Sequence, residues 1–182
     1  MSIVKQQPVE NQLSNEIKSA FEELRIQRHL RNAGITKNFG FTCAYLFQII
    51  FCLVFQHRNW FRLLESKYAD QYPAKDTVYR FLNHPRFSWR RFLTLFSSDV
   101  IDKTSALTSK QRVRVFIVDD SMFERNRSKA VELLARFKDH ARNCYYKGFR
   151  MLTLGWSDGQ TFIPVDFSLL SSNSSQLQGI RS

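Results

Sequence analysis

The chain has 182 residues, of which 43% are hydrophobic and 14% aromatic, and this composition excludes an intrinsically disordered protein. Its 27 lysines and arginines against 16 aspartates and glutamates give a net charge of +11, which favours a polyanionic partner and argues against a cationic small-molecule substrate. The three cysteines have no CxxC spacing, so they predict neither a zinc site nor a disulfide framework and fit a reducing, cytosolic setting.

The N-terminal half of the chain predicts a lead-in followed by helices. Residues 1–14 are polar and are predicted to be flexible, whereas residues 15–100 are predicted to form an all-helical domain. Apolar residues recur at helical spacing from Asn15 to about Arg31, which predicts an amphipathic first helix. Gly34 predicts the end of that helix, because glycine tolerates the left-handed conformation found after helix C-termini.

The segment Phe39–Phe55 carries no charged side chain. We predict that it forms a helix buried in the helical domain and continues to Trp60 or Leu64. The alternative is a membrane-associated protein that uses this segment as a span, because its length lies at the lower edge of the roughly 17–25 residues that a spanning helix needs.

Two further helices are predicted over residues 66–100. The first is expected to be capped at Asp76-Thr77 and ended by Asn83-His84-Pro85, and the second to be capped by Ser88. Short basic helices of this kind suit a DNA-binding module, and a helix-turn-helix with its recognition helix at KDTVYRFLNH is one option. The candidate DNA-binding residues in this region are Lys75, Arg80, Arg90 and Arg91.

The periodicity changes after the polar residues 101–111, which we predict to be a linker. Residues 112–182 then begin a second domain with a β-branched strand from Val113 to Val118. The runs GFRMLTLGWS and TFIPVDFSLL are predicted to pair as a hairpin, because the turn sequence Asp158-Gly159 separates them. Between these elements, Ser128 to about Arg142 is predicted to be a loop followed by a short helix or an irregular segment.

Asp119 and Asp120 follow the first predicted strand. Successive residues of a strand face opposite sides, so only one of these carboxylates is expected to face a site. A strand-end aspartate is a good ligand for Mg²⁺, and in two-metal phosphoryl transfer one aspartate often bridges two ions about 3.5–4 Å apart. The alternative is a turn, because Asp-Asp-Ser is also favourable turn chemistry, and the local sequence alone leaves both open.

A resemblance to a known family rests on the segment from Val115 to Leu170, which contains VDDSMFERNRSKAVELLARFKDH and then YYKGFRMLTLGWSDGQTFIPVDFSLL. This segment resembles the start of the catalytic core of bacterial insertion-sequence transposases of the DDE type. In that family the first catalytic aspartate ends the first strand of a ribonuclease-H-like fold, is followed by Ser or Thr, and precedes an antiparallel hairpin. The resemblance therefore implies that Asp120, which precedes Ser121, is the first catalytic and metal-binding carboxylate, with Asp119 as the second choice.

The fold class implied by the resemblance is α+β, in which the all-helical N-terminal domain precedes the first strands of an incomplete ribonuclease-H-like mixed α/β core. The implied function is that of a DNA transposase, which binds DNA and performs metal-dependent strand cleavage and transfer with Mg²⁺ or Mn²⁺. Its expected partners are double-stranded transposon ends and target DNA, and further copies of itself as a homo-oligomer. We expect a bacterial cytoplasmic protein that is associated with the nucleoid through DNA and not with a membrane. Arg125, Arg127 and Lys129 are expected to contact DNA phosphates near the metal site.

The sequence departs from the family at the other two acidic positions. The family needs a second aspartate after the fourth strand and a glutamate on a later helix, and neither is recognisable. Asp158 is predicted to be a turn residue and Asp166 a strand polar residue, so neither is a clear substitute. We therefore expect a truncated N-terminal fragment that is inactive alone. The alternative is a non-enzymatic DNA-binding remnant or a regulator of a full-length transposase.

Overall fold

The computed structural model describes residues 9–57, 59–65, 72–109, 111–128, 131, 133–139 and 142–170. The chain forms two compact units, Met1–Phe96 and Ser97–Ser182. Within the described residues, no helix combines the length and the apolar character that crossing a membrane requires. The elements are α1 (Val9–Glu23), α2 (Ile26–Asn32), α3 (Cys43–Phe55), α4 (Trp60–Leu64), α5 (Lys75–Leu82), α6 (Trp89–Leu107), β1 (Val115–Glu124), β2 (Ala135–Asp139), β3 (Cys144–Ser157) and β4 (Phe162–Leu170).

The core of the first unit combines aliphatic and aromatic side chains, and the partly buried Phe47 of α3 packs against it. The ring of Phe47 lies 5.2 Å from that of Phe92 and 6.0 Å from that of Trp89, measured between centroids. Such ring pairs contribute about 0.5–1.5 kcal/mol beyond the apolar area that they bury. The prediction of a buried helix is confirmed for one face of α3, whereas Val54 and Phe55 on its other face are exposed. The buried residues of α3 are Cys43, Leu46, Ile49 and Leu53.

The first predicted helix is divided in two. α1 begins at Val9, so part of the predicted lead-in is helical, and residues 1–8 lie outside the described part of the chain. Arg25 adopts a left-handed conformation with φ of 52° and separates α1 from α2. The predicted end at Gly34 is confirmed, because Gly34 has φ of 76° and the amide of Ile35 donates to the carbonyl of Leu30 at 2.9 Å.

The predicted continuation of α3 to Trp60 or Leu64 is wrong. His57 has φ of 51°, which a continuing helix does not permit, and α4 is a separate helix. Its own cap is Asn59, whose side chain accepts a hydrogen bond from the amide of Arg62 at 2.9 Å. Two short helices therefore replace one long one.

The boundaries of α5 and α6 follow the predicted capping residues only in part. α5 begins at Lys75 rather than after Asp76, and it ends at Leu82 as predicted. The Ser88 cap is confirmed, because its hydroxyl accepts from the amide of Arg91 at 3.3 Å. α6 runs through Leu107, so the predicted linker is helical over its first residues. The domain boundaries themselves remain a prediction.

The second unit is built on an antiparallel sheet with β3 at its centre. β1 pairs with β3 from Val115 opposite Ser157 to Glu124 opposite Gly148, and β4 pairs with the same half of β3. Gly148 pairs with both Glu124 and Ala135, so β1 and β2 lie on opposite sides of β3 at that point. Only glycine fits there, because a Cβ atom would lie 2.0 Å from the carbonyl oxygen of the residue before Glu124.

The predicted hairpin turn at Asp158-Gly159 is confirmed and joins β3 to β4. The pairing of these strands shifts register between Leu154 and Gly155, where Pro164 stands opposite Gly155. Proline has no backbone N–H to donate, so it is tolerated beside such an irregularity. The hydroxyl of Ser97 donates to the carbonyl of Pro164 at 2.6 Å and ties α6 to β4.

Two predictions for this unit need correction. β1 continues to Glu124, so Asp119 and Asp120 lie within the strand and not at its end, because β3 supplies pairing partners as far as Gly148. β2 forms where a short helix or an irregular segment was expected. The residues of β2, Ala-Arg-Phe-Lys-Asp, alternate in burial as a strand requires, and this alternation was a signal available in the sequence.

Candidate functional site

Asp120 and Asp119 project from opposite faces of β1. Asp120 stands opposite Leu152 of β3 and Asp119 opposite Thr153, and neighbouring strand residues alternate between the two faces. The hydroxyl of Ser121 donates to Asp119 Oδ2 at 2.6 Å. Asp119 is therefore held by its own strand, while Asp120 faces the other side and is free of that contact.

The partner of Asp120 is Arg150 of β3. Arg150 stands opposite Met122, one pair away along the same face, and this diagonal is within reach of a long side chain. Its Nε donates to Asp120 Oδ1 at 2.9 Å and to Oδ2 at 2.7 Å, and its Nη2 also contacts Oδ2. The two side chains remain 34% and 48% exposed, so water screens the pair.

The pKa values of both groups follow from this contact. Hydrogen bonds from Arg150 hold the pKa of Asp120 below its usual range, partly opposed by desolvation, and the same contact raises the pKa of Arg150. The Asp120 carboxylate is thus stabilised in its charged form. This pair is not visible in the sequence alone, because its members lie thirty residues apart and meet only through the register of β1 and β3.

A divalent cation needs more than this arrangement provides. Among the described residues, no group of three His, Cys, Asp or Glu side chains is placed to hold a metal ion. Mg²⁺ prefers near-octahedral coordination by several oxygens, whereas Asp120 offers one carboxylate whose two oxygens both accept from a guanidinium. The described residues therefore do not fit a complete metal site.

Asp166 and Asp158, the two other acidic residues of this unit that the sequence suggests, do not lie beside Asp120 in the sheet. Asp166 stands opposite Leu154, which also pairs with Val118, so β3 separates it from β1. Its Oδ1 accepts from the amide of Phe167 at 2.8 Å. Neither this residue nor the turn residue Asp158 stands beside the Asp120 carboxylate within the sheet pairing described above.

Asp158 is a structural carboxylate of the hairpin turn. Its Oδ1 accepts from the amides of Gln160 at 3.1 Å and Thr161 at 2.8 Å, and Arg112 donates to Oδ2 at 3.1 Å. Only 1% of the side chain is exposed. The hydrogen bond from Thr161 is the largest of the interactions that lower its pKa. These contacts agree with the prediction that Asp158 is a turn residue.

The candidate DNA-binding residues of the first unit are all exposed. Lys75 is the first residue of α5, and its Nζ lies 5.5 Å from the centroid of the Phe61 ring. The Nε of Arg80 donates to the carbonyl of Asp76 at 3.3 Å, which leaves further guanidinium donors for a ligand. The remaining two, Arg90 and Arg91, lie in the first turn of α6, which begins at Trp89.

The candidates of the second unit follow the end of β1. The amide of Arg125 donates to the carbonyl of Lys147 at 2.7 Å, and the Asn126 side chain accepts from the Lys147 amide at 2.9 Å. These bonds anchor the turn that carries Arg125 and Arg127, whose side chains are exposed. Lys129 lies outside the described residues.

The chain matches a known protein family. The family described as DDE superfamily endonuclease matches residues 53–179, which is more than two thirds of the chain. No curated protein and no solved structure matches it. The described residues form six helices and a four-stranded antiparallel sheet, and these elements are compatible with a ribonuclease-H-like fold. The match begins within α3, so it includes most of the helical region that follows as well as the sheet. The chain therefore belongs to the DDE superfamily endonuclease family.

Proposed function

We propose that this chain acts in DNA transposition and that Asp120 is the first of the carboxylates that bind a divalent cation, Mg²⁺ or Mn²⁺. Family membership supports a nuclease or transposase function in general, and DDE nucleases generally use divalent metal ions. The observation that carries the proposal is the placement of Asp120 on an exposed sheet face, in the strand paired with the β3–β4 hairpin, directly before Ser121.

Cation binding at Asp120 requires that Arg150 move away from it. Because Arg150 donates to both of its oxygens, the guanidinium must release the carboxylate before a cation binds there. Further oxygen ligands must come from groups that the described residues do not bring to Asp120. We propose accordingly that the 182-residue chain does not cleave DNA by itself. In the chain alone, Asp120 and Arg150 form an ion pair.

DNA is the partner that the charge of the chain favours. The net charge of +11 attracts phosphates over the whole molecule. We propose that Lys75, Arg80, Arg90 and Arg91 contact DNA from the helical unit, and that Arg125, Arg127 and Lys129 contact it from the sheet unit. Such contacts hold the duplex without reading its sequence. We propose further that the active form is a homo-oligomer on double-stranded transposon ends and target DNA, in the bacterial cytoplasm and associated with the nucleoid.

The role of Asp120 is tested by titrating Mn²⁺ into the ¹⁵N-labelled chain and following paramagnetic broadening of the amide signals. Because Arg150 occupies both carboxylate oxygens and the described residues complete no metal site, Mn²⁺ binding should be weak. Broadening should therefore appear at high Mn²⁺ concentration, centre on β1 and β3, and disappear in Asp120→Asn. Asp119→Asn is the matched control, because it removes the same charge from the opposite face of the same strand. Broadening that survives Asp120→Asn, or that disappears in Asp119→Asn, would contradict the assignment.

A non-enzymatic role is the second candidate. The Asp120–Arg150 pair favours it, because the guanidinium balances the charge of the carboxylate where a cation would otherwise bind. In this role the chain is a DNA-binding remnant or a regulator of a full-length transposase. Both candidates expect salt-dependent duplex binding and no nicking by the chain alone, so Mg²⁺-dependent nicking would refute the inactivity proposed above. Mn²⁺ binding at Asp120 separates the two candidates, because only the enzymatic role requires it.

A further inference from the structure

A basic cleft lies in the helical unit between the α2–α3 loop, α5 and the α5–α6 loop. It has a volume of about 610 Å³, which falls within the roughly 300–1,000 Å³ typical of ligand sites. The buried rings of Phe81 and Phe87 are among its lining residues. Among the described residues that line it, none is acidic. The polar and charged lining residues are Thr36, Lys37, Asn38, Thr77, Arg80, His84 and Arg86.

The cationic groups of this cleft come from three separate segments. Lys37 belongs to the α2–α3 loop, Arg80 to α5, and Arg86 to the α5–α6 loop. His84 stacks on Phe87 with 4.0 Å between ring centroids, and its Nδ1 accepts from the amide of Arg86 at 3.3 Å. With Nδ1 accepting this bond, Nε2 is the ring nitrogen left to donate a hydrogen bond. Such convergent donors are suited to the oxygens of a phosphodiester.

Phe39 adds an aromatic ring at the edge of the same cleft. It lines the cleft and is 88% exposed, an unusual amount of bare ring surface for a phenylalanine. Phe41, two residues later, already has a partner, because its ring stacks on that of Tyr45 with 5.5 Å between centroids. An exposed ring beside several cations is the combination with which proteins bind single-stranded nucleic acid, where each unstacked base offers a π-face.

We propose that this cleft binds an unpaired segment of nucleic acid, with a phosphate held by Lys37, Arg80 and Arg86 and a neighbouring base stacked on Phe39. The inference rests on the proposed function, in which the chain binds DNA, and it adds a preference that general basic charge does not provide. Bases in an intact duplex are covered by their neighbours, so Phe39 distinguishes a duplex with a single-stranded tail from a blunt duplex.

The test measures fluorescence anisotropy of two labelled DNAs, a blunt duplex and the same duplex with a single-stranded thymidine tail, over a range of salt concentrations. The unmodified chain should bind the tailed DNA more tightly. Phe39→Leu should weaken binding of the tailed DNA by roughly 5- to 150-fold, because base stacking is lost, whereas Phe39→Trp should retain it. Phe41→Leu is the matched control, since Phe41 is a neighbouring exposed ring outside the cleft.

Salt dependence separates the ring from the charges. Lys37→Ala or Arg86→Ala should reduce the slope of log affinity against log salt by about 0.7 per lost phosphate contact, and Phe39→Leu should leave that slope unchanged. Arg28→Ala removes one charge from a different cleft, which also contains Glu22. Equal losses in Arg28→Ala and Arg86→Ala, or equal affinity for the blunt and tailed DNAs, would overturn the inference while leaving DNA binding intact. A chain that binds neither DNA would instead refute the proposed function.

Discussion

Replacing Gly148 by alanine tests whether one close backbone contact sets the position of β1. A Cβ atom built on Gly148 lies 2.0 Å from the carbonyl oxygen of Phe123 and 2.9 Å from its carbonyl carbon. Contacts under 3.0 Å require a shift, and here the neighbour is backbone, which cannot rotate away as a side chain does. β1 and β3 must therefore separate at the end of their pairing, four residues beyond Asp120.

The expected cost follows from two opposing effects. Overpacking costs typically 1–3 kcal/mol, and we take about 3 kcal/mol because the clash is with backbone. The loss of unfolded-state freedom on replacing glycine by alanine offsets about 0.4–1 kcal/mol of this. Gly148→Ala should therefore lower the free energy of opening of the β1–β3 pairing by about 2 kcal/mol. That corresponds to amide exchange roughly 30-fold faster.

The assay is hydrogen–deuterium exchange followed by mass spectrometry on peptides that cover β1. Gly155→Ala is the control, because its Cβ would meet ring atoms of Phe162 at 2.2 Å, and that half-exposed ring is able to rotate outward. We expect less than about 1 kcal/mol for the control. Unchanged exchange in Gly148→Ala, or equal acceleration in both variants, would refute the reasoning that this contact fixes β1 against β3.

Three further outcomes are expected. The folded pKa of Asp158 lies below its ordinary value. The ionised Asp158 carboxylate therefore contributes its full stability above the unfolded pKa of about 4, and this stability is lost as pH falls through the folded pKa. The melting temperature of Asp158→Asn should therefore fall less steeply below about pH 4 than that of the unmodified chain. Parallel curves of melting temperature against pH would contradict this. Ser97→Ala removes the 2.6 Å hydrogen bond to the carbonyl of Pro164 and should cost about 1–2 kcal/mol by urea denaturation, while no change would mean that water replaces the hydroxyl. Arg150→Gln should raise the pKa of Asp120 towards its ordinary value, and an unchanged midpoint in a ¹³C carboxyl titration would refute Arg150 as the cause of the depression.

Local signals predicted those elements whose boundaries are set by local chemistry. The Asp158-Gly159 turn formed as expected, because glycine supplies the positive φ that the turn needs and the Asp158 carboxylate satisfies its amides. Gly34 and Ser88 likewise ended and began helices where they were predicted to. The division of the first helix at Arg25 was not predictable, because arginine carries no local signal for the left-handed conformation that it adopts there.

The residues of the candidate site also differ in whether the local sequence predicts them. The candidate carboxylate Asp120 was identified from its neighbours in sequence, since a resemblance needs only the order of residues. Its partner Arg150 depends on the pairing of β1 with β3, and pairing over such a distance is decided by long-range packing rather than by either strand alone. The cleft with Phe39 was missed because its residues are spread from position 34 to position 87.

Taken by itself, the sequence determined the family, the mixture of helices and strands, the basic charge and the Asp-Ser pair at Asp120. These properties are local or additive, so the order and composition of the residues are sufficient to predict them. The tertiary structure decided that β1 continues past Asp120 and that Arg150 forms an ion pair with the Asp120 carboxylate. It also decided which basic residues share a cleft with an exposed ring. Each of these depends on strand register or on loops brought together by the core, and such contacts exist only after the chain has folded.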